Sequence, residues 1–154
     1  MKIQRYLGVL ALSIFAACSH AAPTTITPPP DVGPIRITLL LFSGRPNPVF
    51  GVQAAFFATQ IQPALTKASA MPASAAEMPA PKGLGYGGIQ VENAGRIPDL
   101  PSELFVYHER IERGSPGKFD YLMDGSRTLE AVLLREALAQ RIIDSNVLEA
   151  IERR

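Results

Sequence analysis

The chain has 154 residues, with 15 lysines and arginines against 14 aspartates and glutamates, 14 prolines and a single cysteine. Such a near-neutral balance speaks against a nucleic-acid partner, which needs a basic face to release counterions. One cysteine excludes an intramolecular disulfide, so the fold must stand on its core. In chain order, residues 1–17 come first: Lys2 and Arg5 precede YLGVLALSIFAA, which carries no charge. Those twelve residues would rise about 18 Å as a helix, short of a hydrocarbon core of about 30 Å. A basic start, a short apolar run and small residues form a secretory signal pattern, so the chain is expected to be exported.

Phe15, Ala16, Ala17 and Cys18 resemble a bacterial lipobox. That resemblance implies a diacylated Cys18 as the new N-terminus and a membrane anchor in the cell envelope. The residues alone leave a second processing open: cleavage after Ala21, with Ser19 and Ala21 as the small-x-small site, giving a soluble periplasmic or secreted protein. Residues 18–33 read as a Pro/Thr-rich tether, because proline locks φ, lacks an N–H and favours an extended spacer. Loss of Lys2 and Arg5 with the leader leaves 13 basic and 14 acidic residues. Residues 34–154 then form one domain, long enough to bury a core without staples.

Within that domain, IRITLLLF at residues 35–42 predicts a central strand, alternating at first and apolar on both faces near its end. Residues 43–48, SGRPNP, break it. Asn47 as N-cap and Pro48 as first residue predict a helix over residues 49–62, with Phe50, Ala54, Phe57 and Ile61 at helical spacing and Pro63 ending or kinking it. The Ala/Pro/Ser stretch at residues 67–82 reads as a surface loop. Three strands are expected at residues 86–92, 103–111 and 119–123, the last two joined by a turn at residues 113–118. Ser126 is expected to cap a helix over residues 127–142, and Asp144 or Ser145 a short final helix. The order β-α-β-β-β-α-α predicts an α+β fold, a small sheet of about four strands with helices packed mainly on one face.

No catalytic, metal or cofactor motif emerges. GLGYGG at residues 83–88 matches the dinucleotide fingerprint in letters, but a Pro-rich loop precedes it and a strand follows, where the pyrophosphate needs a helix N-terminus. Ser115 and Lys118 match S-x-x-K, yet Pro116 and Gly117 between them forbid the helical turn that pattern requires. His108, between Tyr107 and Glu109 on an expected strand, has neighbours facing the other way and reads as a packing or surface residue. The best candidate is Ser43, Arg45 and Asn47: a cation in a strand-to-helix connection, beside helix N–H groups that could hold an anion. The alternative is plain turn chemistry with Arg45 paired to an acid.

A strand ending in SGRPNP (residues 43–48), Tyr86 with Gly88, and Arg127 with Leu129 and Glu130 together resemble a group of small exported bacterial proteins. The resemblance spans residues 35–150 and implies a shared fold; the group has no established activity. Two functional readings follow. One is a non-enzymatic, envelope-anchored lipoprotein whose domain binds a protein or surface component. The other is a small-anion or ligand-binding domain, or a weak hydrolase, centred on Arg45, with Tyr86, Tyr107 and His108 as further candidates. Neither implies a cofactor.

Overall fold

A computed structural model describes residues 33–41, 46–71, 85–115 and 118–153. The expected signal peptide, Cys18, all of the tether except Gly33, Ser43, Arg45 and most of the Ala/Pro/Ser stretch lie outside the described residues. The described residues form strands β1 (Ile35–Leu39) and β2 (Val49–Val52), then a helix α1 (Ala54–Phe56, Phe57–Ile61 and Gln62–Lys67 in succession) and a short strand β3 (Ser69–Ala70). Strands β4 (Ile89–Glu92), β5 (Glu103–Tyr107), β6 (Arg110–Ser115) and β7 (Lys118–Met123) follow, and then helices α2 (Thr128–Ala139) and α3 (Ser145–Glu152). The α+β class holds, but the sheet has seven antiparallel strands, not about four, in the order β2-β1-β4-β5-β6-β7-β3.

Alternation builds the core. Ile35, Ile37 and Leu39 are fully buried, while Arg36 and Thr38 between them are half-buried on the other face. Register carries the apolar row across the sheet: Ile37 pairs with Phe50 and Val91, and Ile89 with Val106, which pairs with Ile111. Phe57, Ile61 and Ala64 of α1 and Leu129, Leu133, Leu134 and Ala137 of α2 close over that row. The opposite face keeps polar pairs, Arg36 with Glu92 at 3.6 Å and Arg110 with Glu112 at 2.7 Å.

The expected helix at residues 49–62 is corrected. Val49–Val52 is an edge strand, and the helix starts only at Ala54. Phe50 and Val52 alternate as well as they fit a helical stripe, and pairing with β1 satisfies their backbone groups. Asn47 caps no helix; its Oδ1 accepts the Leu41 N–H at 3.0 Å. Helix α1 runs as Ala54–Phe56, a π-helical turn over Phe57–Ile61 and Gln62–Lys67. Pro63 therefore does not end it. A proline inside a helix removes one N–H and crowds the carbonyl four residues back; the wider turn just upstream, with Gln62 N–H bonded to the Phe57 carbonyl, accommodates that ring.

Helix α1 also explains the strand order. It takes the chain from β2 at one sheet edge to β3 at the other. Fourteen helical residues span about 21 Å, most of the roughly 29 Å across six strand spacings.

Candidate functional site

Glu130 stands on the buried stripe of α2, between Leu129 and Leu133, and is 1% exposed. A carboxylate placed there needs partners, because an isolated charge in an apolar interior is far more costly than a paired one. Its Oε1 accepts the Tyr86 hydroxyl at 2.6 Å and the His108 backbone N–H at 2.9 Å. Its Oε2 accepts Arg127 Nε at 2.8 Å and lies 2.6 Å from Arg127 Nη2. His108 Nδ1 is 3.6 Å from Oε2, beyond hydrogen-bond reach.

Three separate segments deliver these donors. Tyr86 sits in the lead-in to β4, which hydrogen-bonds to the end of β1: Gly87 N–H to the Leu40 carbonyl at 2.6 Å, and Leu40 N–H to the Gly88 carbonyl at 2.9 Å. Gly88 has φ +113°, and a Cβ there would meet the Phe105 ring and the Val106 carbonyl oxygen at 2.8 Å. A glycine is thus required for close approach, not for phosphate. His108 belongs to the two-residue turn between β5 and β6, closed by the Tyr107–Arg110 pair, and its φ is +53°. The single strand expected over residues 103–111 is therefore two strands with His108 at their turn. That places its ring 4.2 Å from Tyr107 and its backbone N–H on Glu130.

Arg127 precedes α2 in the left-handed conformation, φ +51°. Ser126 does not cap this helix; the Asp124 carboxylate accepts the Leu129 N–H at 2.7 Å instead. Asp124 N–H in turn bonds to the Glu109 carbonyl at 2.6 Å, tying the helix start to the same turn. At the other end, Asp144 caps α3 as expected, accepting the Val147 N–H at 2.9 Å.

The electrostatics follow from this packing. Burial pushes the Glu130 carboxyl up, but hydrogen bonds from Tyr86, the His108 N–H and Arg127 outweigh it, and the group ends below the usual carboxylate range. Burial, then the negative charge and hydrogen bond of Glu130, push the Tyr86 hydroxyl far above its ordinary 10.0. Each Glu130 oxygen already faces two donor atoms, so it cannot take a proton from a substrate without releasing a partner. Tyr86 stays protonated and its proton is committed. Through Glu130 the cluster can lock three segments together, while the His108 Nδ1 beside it has no hydrogen-bond partner. The adjoining cavity, edged by Arg127, Glu130, Leu134 and Glu152, is about 190 Å³, below the range of about 300–1,000 Å³ usual for small-molecule sites. Among the described residues, no three His, Cys, Asp or Glu side chains gather as a metal site.

The expected candidates divide cleanly. Tyr86, Tyr107 and His108 come together, with Tyr86 and Tyr107 stacked at 6.0 Å. Asn47 holds the end of β1 by accepting the Leu41 N–H, and Cys18, Ser43 and Arg45 lie outside the described residues. Glu130 and Arg127, which give the cluster its charge, were not expected to act. The signal was a carboxylate inside the apolar stripe of α2, four residues before Leu134. No family model, curated protein or solved structure matches the chain.

Proposed function

We propose that this chain is a non-enzymatic envelope lipoprotein, anchored through Cys18, whose α+β domain binds another protein or a surface component. The observation that carries the non-enzymatic reading is Glu130: the most buried carboxylate of the described residues has both oxygens occupied by Tyr86, His108 and Arg127. The anchored reading rests on residues 15–18 and the proline-rich stretch behind them. Strand geometry is consistent with a tethered display. The chain enters β1 at Pro34, whose carbonyl accepts the Gly95 N–H at 2.7 Å, at one end of the ladder. Leu39 and Ile89, next to the Tyr86 segment, pair at the other. A tether leaving at Pro34 would hold the Glu130 end away from the membrane.

Labelled palmitate should enter the wild-type protein and fail to enter Cys18→Ser. Crosslinking in the envelope should recover a partner with the wild type. Equal soluble release of both forms, with Ala22 as the mature N-terminus, defeats the anchor; crosslinking that recovers only the chain itself defeats the binding reading.

A further inference from the structure

Strand β2 is one edge of the sheet, and β3, only two residues long, is the other. An edge strand presents backbone N–H and C=O groups that can template pairing with another chain. Proteins blunt such edges with charges, internal prolines, bulges or a covering element. Strand β2 lacks the first three: Val49, Phe50, Gly51 and Val52 are uncharged, include no proline and pair with β1 in unbroken register. The neutrality extends well beyond the strand, since no residue from Pro46 to Thr66 is charged. Nothing in that stretch repels a like strand.

The phase of the ladder fixes which groups face outward. The Leu39 N–H bonds to the Pro48 carbonyl at 3.0 Å, and in an antiparallel pair every second residue bonds to the neighbouring strand. Pro48, Phe50 and Val52 therefore face β1, while Val49 and Gly51 turn their N–H and C=O groups outward. The outward carbonyl of Gly51 is taken. Gln140, the residue that closes α2, donates its side-chain Nε2 to that carbonyl at 3.1 Å. The same nitrogen lies 2.8 Å from Glu136 Oε1, one turn back, which steadies it over the edge.

Two copies of β2 running antiparallel about a two-fold axis at Phe50 would pair Val49 of each with Gly51 of the other. In that pairing the Gly51 carbonyl accepts the Val49 N–H of the second copy, and this is the acceptor that Gln140 fills. We propose that Gln140 is an edge guard, an intramolecular contact that keeps β2 from pairing with β2 of a second copy of this chain. The device needs neither the Glu130 cluster nor a lipid on Cys18.

The test is sedimentation equilibrium of the full chain carrying Cys18→Ser, which keeps any lipid out of the comparison. Gln140→Ala should self-associate about tenfold more tightly than that parent, the worth of about one hydrogen bond gained between strands. Glu136→Ala, which only frees the Gln140 amide, should shift association the same way by a smaller factor. Adding Val49→Lys to Gln140→Ala puts a charge on the edge strand and should return association to the parent's level. Equal self-association of the parent and Gln140→Ala overturns the proposal, as does a Gln140→Ala dimer that Val49→Lys leaves intact. Should Gln140→Ala not fold, Glu136→Ala carries the test, and association equal to the parent's there overturns it too.

Discussion

The two ends of helix α2 pose the same backbone problem and resolve the charge differently. Arg127 before its first turn and Arg141 after its last both adopt left-handed backbone, φ +51° and +59°. Arg127 places Nε and Nη2 on one buried carboxylate oxygen. Arg141 is exposed and forms no ion pair among the described residues. One end therefore uses its arginine to hold the fold, and the other keeps a cation available. Removing one member of a buried, hydrogen-bonded pair is strongly destabilising because it strands the other charge; an exposed charge contributes little to stability.

Substitutions can break that contrast. The largest effect is expected for Glu130→Ala, which leaves the Tyr86 hydroxyl, the His108 N–H and Arg127 without their shared acceptor. Removing one member of such a buried pair costs about 3–5 kcal/mol, read as a lower denaturant midpoint at unchanged slope. Tyr86→Phe deletes a single hydrogen bond to a charged group and should cost about 1.5–3 kcal/mol in the same experiment.

The matched pair Arg127→Gly and Arg141→Gly sharpens the comparison further. Both relieve the left-handed backbone by about 1 kcal/mol. Only the first strands Glu130, at a site where Arg127 is still 30% exposed, so a loss of about 2–3 kcal/mol before that relief is reasonable. Arg127→Gly should then be net destabilising and Arg141→Gly neutral or slightly stabilising. Equal effects at the two positions would erase the distinction between the two ends.

Stability against pH gives the smallest effects and the clearest signs. The Glu130 carboxyl lies lower in the folded protein than its ordinary 4.5. Its contribution is fully present above 4.5 and drains away as pH falls through the lowered folded value. Tyr86 has the opposite displacement, upward from 10.0. Its contribution is complete below 10.0 and fades as pH rises beyond it. Urea titrations across pH should show Glu130→Gln losing the acid-side slope and Tyr86→Phe the alkaline one.

Some of this could be read directly from the chain. Strand β1 announced itself because Ile35, Ile37 and Leu39 alternate with Arg36 and Thr38, and α2 because its leucines recur at helical spacing. Tyr86, Tyr107 and His108 could be singled out as side chains, but not as neighbours. Strand β2 was hidden because VFGV fits either period, and its conformation depends on partners more than ten residues away in β1. His108 was misplaced for a related reason: residues 103–111 read as continuous strand until β5 and β6 pair and force a two-residue turn between them.

By itself, then, the sequence determined which segments are amphipathic, where glycine and proline interrupt them, and that an acid sits on an apolar helix face, because periodicity and backbone chemistry are local properties. Only the tertiary structure decided that β3 lies across the sheet from β2 and that Tyr86, His108 and Arg127 converge on Glu130. Those facts depend on strand pairing and on the path of α1 over the sheet, which are contacts between distant residues that no local pattern encodes.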